Sequence, residues 1–316
     1  MNRTIKHITL LLAIALMFSC RASKSVYLFT SFHEPANEGL RFLYSYDAYH
    51  WNAIDHIFIK PEVGDAKIMR DPSIAQGPDG VYHLVWTTGW KNDKGIGYAS
   101  SKDLIHWSAE EHIEVMANEP TAVNAWAPEL FYDEDNNYFI IVWASTVPFR
   151  FPKGQEYENN NHRLYYTTTK DFKTFSPSKL FLDPGFSVID AEIVKRAKND
   201  YVLVMKDNTR PNRNILVAFS NNPLGPYSNY TPRFTEPYSE GPSMTKAGDN
   251  WLIYYDSYRL KRYGAVRTTD FKTFTDLADS VSVPVGHKHG TIFKVTKKQL
   301  AQLLQAAGQS KGVKHE

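Results

Sequence analysis

The chain has almost no cysteine. Cys20 is the only one in 316 residues, so no disulfide can form within the chain and stability has to come from packing. There is no block of Lys or Arg, and 36 basic against 34 acidic side chains leave a net charge of +2. The basic footprint of a nucleic-acid-binding protein is therefore missing. The N-terminal apolar run, residues 8–18, is too short to span a bilayer. What is present is core-forming material: 42% hydrophobic residues, with aromatics at 14%. A length of 316 residues is compatible with one all-β domain.

The N-terminus reads as a targeting segment. Asn2-Arg3-Thr4-Ile5-Lys6 is a basic n-region, residues 8–18 are the h-region, and Ser19-Cys20 closes it. Met17-Phe18-Ser19-Cys20 resembles a lipobox, with Phe18 a loose match. The sequence thus predicts a lipoprotein signal over residues 1–20, with Cys20 as the lipid-modified first residue. The location expected is a bacterial cell envelope, periplasmic or anchored at the outer membrane. The plainer alternative is a secretory signal with an incidental cysteine.

The rest of the chain repeats itself. Met69-Arg70-Asp71-Pro72-Ser73-Ile74 returns in altered form as Trp126-Ala127-Pro128-Glu129-Leu130, Val188-Ile189-Asp190-Ala191-Glu192-Ile193, Glu240-Gly241-Pro242-Ser243-Met244 and His289-Gly290-Thr291-Ile292-Phe293. Each of the first four is followed by a turn and a dense apolar run, at residues 81–86, 138–143, 201–205 and 251–255. Gly77-Pro78-Asp79-Gly80 is such a turn: Pro fixes φ, and Gly accepts positive φ. Further strands end at Ser/Thr/Asp turns, each followed by a ring: Trp51, Trp107, Phe175, Tyr227 and Phe274. Short elements in fixed order mark a repeat architecture.

Five units of about 50 residues with four short strands each predict a five-bladed β-propeller of four-stranded antiparallel blades over residues 26–296. The fifth head, His289, has no outer strands after it, while the N-terminal strands have no head. The ring should therefore close by residues 289–295 forming the inner strand of the N-terminal blade. Residues 297–307 read as a short helix, with Leu300, Leu303 and Leu304 on one face, and a polar tail runs to 316.

In a propeller the inner strands surround the axis, so Asp71, Glu129, Asp190, Glu240 and His289 are expected to meet at one end of the channel. Each has a plain reading as well. Asp before Pro and Glu-Gly-Pro form turns, and a lone His is commonly a satisfied core residue. Clustered acids, however, raise one another's pKa and cost stability. Two such carboxylates suit glycoside hydrolysis, one protonated to donate to the leaving oxygen and one ionised to activate water or attack carbon. Phe32, His33, Trp90 and Trp126 stand near the heads as candidates for sugar contact, or as blade packing.

At these motifs the mature chain resembles glycoside hydrolase family 43. The resemblance implies a five-bladed propeller with an inverting mechanism. Asp71, in Asp71-Pro72-Ser73-Ile74, matches the general base. Asp190, in Ile189-Asp190-Ala191-Glu192-Ile193, matches the carboxylate that modulates the acid, although the family often has Pro where Ala191 stands. Glu240, in Glu240-Gly241-Pro242, matches the general acid. His289, before Gly290-Thr291, matches an axial histidine often found beside a cation or water cluster. Glu129 follows Trp126-Ala127-Pro128, where many members have Asp, and would contact substrate.

The resemblance implies further that no cofactor is required for catalysis, with calcium or sodium as a structural cation in the channel. It implies a carbohydrate partner, and the protein is expected to be a monomer whose only membrane contact is the Cys20 anchor. A related retaining class of fructan-cleaving propellers is disfavoured, because the chain has no Asn-Asp-Pro and the mature part no cysteine. The activity expected is exo-cleavage of a terminal α-L-arabinofuranosyl unit from plant polysaccharide side chains. β-Xylosidase or galactofuranosidase action, and non-catalytic glycan binding, are the alternatives. Residues 32–41 and 147–163, as links from second to third strands, should wall the site.

Overall fold

The computed structural model describes residues 25–152, 156, 160–211 and 213–309. The signal segment with Cys20 and the end of the polar tail lie outside them. The first strands are β1 (Val26–His33), β2 (Arg41–Ser45) and β3 (Asn52–Ile54). The second sheet holds β4 (Arg70–Gln76), β5 (Tyr82–Thr87), β6 (Ile96–Ser101) and β7 (Glu111–Ile113). The third holds β8 (Trp126–Asp133), β9 (Tyr138–Ser145), β10 (Arg163–Thr169) and β11 (Lys179–Leu182). The fourth holds β12 (Val188–Ala197), β13 (Asp200–Asp207) and β14 (Ile215–Ser220). The fifth holds β15 (Ser239–Ala247), β16 (Asn250–Ser257), β17 (Arg262–Thr268) and β18 (Thr275–Asp276). β19 (His287–Lys288), β20 (Ile292–Val295) and α1 (Lys297–Ala306) end the chain.

β20 pairs antiparallel with β1, Val26 opposite Val295 and Phe29 opposite Ile292. The N-terminal blade thus takes its inner strand from the C-terminus, as the missing head predicts. The ring is a five-bladed propeller, closed so that only short strand edges remain.

The apolar runs are continuous because both faces of each sheet are covered. Along β1, Val26 and Leu28 face the second blade, packing with Ile74, Leu84 and Trp86. The alternate residues Tyr27 and Phe29 face the fifth blade, packing with Leu252 and Tyr254. Strand side chains alternate with period two, so a strand buried on both faces reads as one unbroken run. The other three gaps between blades hold a hydrophobic cluster each. Helix α1 starts at a capping box between Thr296 and Gln299 and buries Leu300, Leu303 and Leu304 against the first of these clusters.

The repeated turn after the third strand has one structure in four of the blades, the exception being the fourth, where Pro223 has no N–H to donate. In Ser45-Tyr46-Asp47-Ala48 the Ser45 hydroxyl accepts from Ala48 N, and Asp47 Oδ1 accepts from Tyr49 and His50 N. Thr268 and Asp270 do the same for Phe271, Lys272 and Thr273. These bonds hold Ala48 and Phe271 at positive φ without glycine.

One blade departs from the expected four strands. Outside β14 runs residues 228–234, with Pro232 in it and Pro223 and Pro226 before it. It bonds to β14 only at intervals, through Phe219–Ser228, Thr231–Val217 and Phe234–Ile215. Proline has no N–H for a ladder, so this edge stays irregular.

Candidate active site

Each of the inner strands β4, β8, β12 and β15 breaks register at its first turn of backbone. The shifts fall between Arg70 and Ser73, Trp126 and Glu129, Ile189 and Glu192, and Glu240 and Ser243. The first bulged residue in each is at positive φ: Asp71 (51°), Ala127 (45°), Asp190 (51°) and Gly241 (55°). A bulge bends its strand and re-aims its side chains. Here it turns the Asp71 and Asp190 carboxylates onto the axis. Gly241 is obligatory at its place, because a Cβ there would come within 1.9 Å of His289 Cγ.

Asp71, Asp190, Glu240, His289, Trp90 and Trp126 line one cavity of about 730 Å³. It opens at the end of the channel where the inner strands begin. Its walls include Asn92, Glu156 and Asn160, from links between second and third strands. The Trp90 and Trp126 rings meet edge to face at 5.4 Å, and Trp126 Nε1 donates to the Trp90 carbonyl at 3.0 Å. Trp126 also stacks on His162 at 4.6 Å. Trp90 is half exposed, with the Arg70 guanidinium over one face of its ring.

Three of the expected residues lie elsewhere. Glu129 is one layer down. The bulge at Ala127-Pro128 consumes two residues, so Ala127 takes the position of Asp71, and Glu129 takes that of Ser73. Ser73, Glu129, Glu192, Ser243 and Thr291 form this lower layer, tied across blades. Ser73 Oγ donates to Glu129 Oε2 at 2.7 Å, and Thr291 Oγ1 donates to Ser73 Oγ at 3.0 Å. Glu192 Oε2 accepts from Met244 N at 2.6 Å, and Ser243 Oγ accepts from Ile292 N at 3.0 Å. Burial pushes Glu129 up to about 8, and burial with repulsion from Glu129 raises Glu192. Glu129 thus locks the channel and borders only a void of about 30 Å³ beneath the site.

Phe32 is fully buried and touches no part of the cavity surface. It packs edge-on to His289 at 6.0 Å and carries the Arg70 guanidinium, 5.0 Å from its ring. His33 lines a different cavity, beside His287. Both follow from β1 being a second strand, whose end lies behind the inner-strand heads.

The charges at the site form two pairs and a remainder. His289 Nε2 lies 2.8 Å from Asp71 Oδ1, and Thr87 Oγ1 donates to Asp71 Oδ2 at 2.7 Å. Burial alone would lower the His289 pKa, but Asp71 outweighs it and holds the imidazolium up at about 9. Burial likewise opposes ionisation of Asp71, yet His289 keeps that carboxyl below its usual range. Lys206 Nζ lies 2.9 Å from Glu240 Oε2, and the Lys206 side chain is wholly buried. Against burial, Lys206 and then His289 pull Glu240 below the usual range. Asp190 is the remainder. Its Oδ2 accepts from Gly241 N at 3.0 Å, but burial outweighs the nearby cations and raises it. Of the three acids, Asp190 is therefore the one held up, while Asp71 and Glu240 are held down.

Sequence reading passed over Thr87, Lys206 and Arg70. Thr87 and Lys206 are ladder partners of Arg70 and Ile189. Their signal was a polar residue ending each apolar second strand, level with a head. Arg70 is held between Phe32 and Trp90, 4.1 Å from the Trp90 ring, and bonds Glu34 at 2.5 Å.

Glu240, Asp256 and His289 bring one donor atom each within 4.8 Å of one another. The set fits calcium poorly. Calcium takes six to eight oxygens, whereas two carboxylates and one imidazole are offered here. Both carboxylates already hold an ammonium, Lys206 on Glu240 and Lys288 on Asp256 at 2.6 Å.

The chain has relatives of known fold and family. A thermostable family-43 glycoside hydrolase superposes with a TM-score of 0.57 at 15% identity, over 72% of this chain and 83% of that one. The α-L-arabinanase of Cellvibrio cellulosa, complexed with arabinohexaose, gives 0.57 at 15% identity, over 83% and 96%. These likenesses show the fold. An α-L-arabinofuranosidase of Bifidobacterium longum subsp. longum is 25% identical over 151 residues, 40% of this chain and 14% of that protein's length. Residues 23–301 match the family described as "Probable glycosyl hydrolase domain", related to family 43. With that match running through every blade, the chain belongs to the family 43-related glycoside hydrolases.

Proposed function

We propose that the protein is an inverting, exo-acting α-L-arabinofuranosidase that removes terminal units from plant polysaccharide side chains. The observation that carries this is the convergence of Asp71, Asp190 and Glu240 on one cavity flanked by Trp90 and Trp126. Asp71 is the general base: it stays ionised beside His289, and Thr87 fixes its plane. Glu240 is the general acid, and Asp190, whose carboxyl burial holds up, modulates it. A sugar oxygen seated on Glu240 stabilises its acid form, and Glu240 passes that proton to the leaving oxygen. A second, ionised carboxylate then activates water on the far side of the sugar ring.

Aromatic faces at Trp90 and Trp126 suit an apolar sugar face. The volume encloses a terminal sugar and the unit beside it. The related arabinofuranosidase supports the choice of sugar. Lys206 and Lys288 supply the positive charge that a structural cation would bring, so catalysis is expected without one. At the N-terminus, Cys20 is proposed as a lipid anchor to a bacterial envelope; two acyl chains would hold it stably. If Cys20→Ala still partitions with membranes, that anchor is wrong.

The test is hydrolysis of aryl α-L-arabinofuranoside followed by NMR from the first turnover. Inverted anomeric product is expected, and net retention overturns the mechanism. Preference for aryl β-xyloside would keep the mechanism and change the sugar. Early release of internal oligosaccharides from arabinan would overturn exo action.

A further inference from the structure

A second cavity, of about 590 Å³, lies across the axis from Trp90 and Trp126. It is framed by the ends of β1, β16 and β17, by β19, and by the loop that leads into β19 from residue 278. His33, Asp256, Tyr258, Lys261, Arg262 and Lys288 line it. We propose that it is a second glycan subsite that takes an acidic sugar, a uronate-type unit, of the same substrate. This rests on the reading of the first cavity as a glycosidase site.

The two cavities share a wall one residue thick. Glu240, in the first, pairs in register with Asp256, in the second. Arg70, in the first, bonds Glu34, in the second, at 2.5 Å. Lys288 adjoins His289 in the chain. Tyr258 faces both: its ring lies 5.2 Å from Lys206 Nζ and 5.8 Å from the guanidinium of Arg213, a residue of the first cavity. A glycan with its reacting bond over Glu240 has this second cavity as its next space.

The chemistry of the lining selects the ligand. Asp256 is neutralised by Lys288 at 2.6 Å, and Glu34 by Arg70. Lys261 and Arg262 then leave the cavity net positive, both exposed at its rim. Three polar atoms around it, His33 Nε2, Tyr258 Oη and Tyr263 Oη, are shielded from water without a hydrogen-bond partner. Such groups cost stability wherever they stay unpaired. Hydroxyl and imidazole groups beside two cations are what a hydroxylated anion needs, and a tyrosine ring adds a stacking face.

The experiment is calorimetry on the full chain with α-1,4-trigalacturonate and its methyl ester, which has the same shape without the charge. The acid should bind at least about tenfold tighter at low salt, with the gap closing as salt is raised. Lys261→Glu with Arg262→Glu should abolish the gap while leaving hydrolysis of a small aryl arabinofuranoside unchanged. Equal binding of acid and ester overturns the subsite, and a gap that survives in the double variant overturns its location. Failure to cleave any arabinofuranoside while the acid still binds would refute the sugar assigned to the first cavity and leave this subsite standing.

Discussion

The Lys206 ammonium stands 2.9 Å from Glu240 Oε2 with no exposure to solvent. A general acid needs its proton, and this cation opposes it. The pair therefore sets the pH at which Glu240 can donate. Because Lys206 lowers the Glu240 pKa, the acid form fades at lower pH than in an unpaired carboxyl. Lys206→Met should move the basic limb of kcat/KM to higher pH. It should also cost stability, because it leaves the buried Glu240 carboxylate without its bonded counterion. A basic limb that does not move would show that Glu240 is not the titrating acid.

The two catalytic carboxylates should respond differently to removal. Asp71→Ala should abolish turnover on every substrate, a loss of at least about 10²–10⁴ in kcat. Glu240→Ala should lose a comparable factor on a natural glycan but far less on an aryl glycoside with a good leaving group, which needs little protonation. Equal losses on both substrates would argue against Glu240 as the donor.

His289 links stability to pH. Its folded pKa, about 9, lies above the ordinary 6.5. The imidazolium is therefore favoured by folding, and its contribution is complete below pH 6.5. It declines as the pH rises through about 9. The contribution is of order 3 kcal/mol. His289→Gln should flatten the fall in stability between these limits, seen as denaturation midpoints measured across that range. Asp71 has the opposite sign: its depressed pKa stabilises above the usual carboxylate range and is lost as pH falls through the lowered value.

Gly241→Ala should be severe. A Cβ at this φ of 55° would sit 1.9 Å from His289 Cγ, and neither backbone can yield without moving the site. A loss of roughly 3 kcal/mol or more is expected. Gly248, at φ 60° with nothing within 4 Å, is the control; its change to Ala should cost only about 1–2 kcal/mol. Comparable losses in urea would show that strain alone, without the contact to His289, governs this position.

Chelator should leave both activity and the unfolding midpoint unchanged, because Lys206 and Lys288 occupy the carboxylates a calcium ion would need. A midpoint raised by millimolar calcium would show that the lysines give way to a cation.

The sequence alone determined the ring. Its apolar runs, the Ser/Thr-x-Asp turns and the displaced fifth head are local signals, repeated often enough to state the blade number and the closure through β20. It also determined that Asp71, Asp190 and Glu240 converge, since each heads an inner strand. The tertiary structure alone decided the depth of each side chain. Glu129 looked equivalent to Asp71 because both stand beside proline at a strand head. A two-residue bulge placed it one layer lower, and no one-dimensional spacing records which residue a bulge absorbs. Lys206, Thr87 and Arg70 were invisible for a related reason. Thr87 meets Asp71 across its own ladder, while Lys206 and Arg70 find their partners in the neighbouring blade, contacts that only the packing of the blades decides.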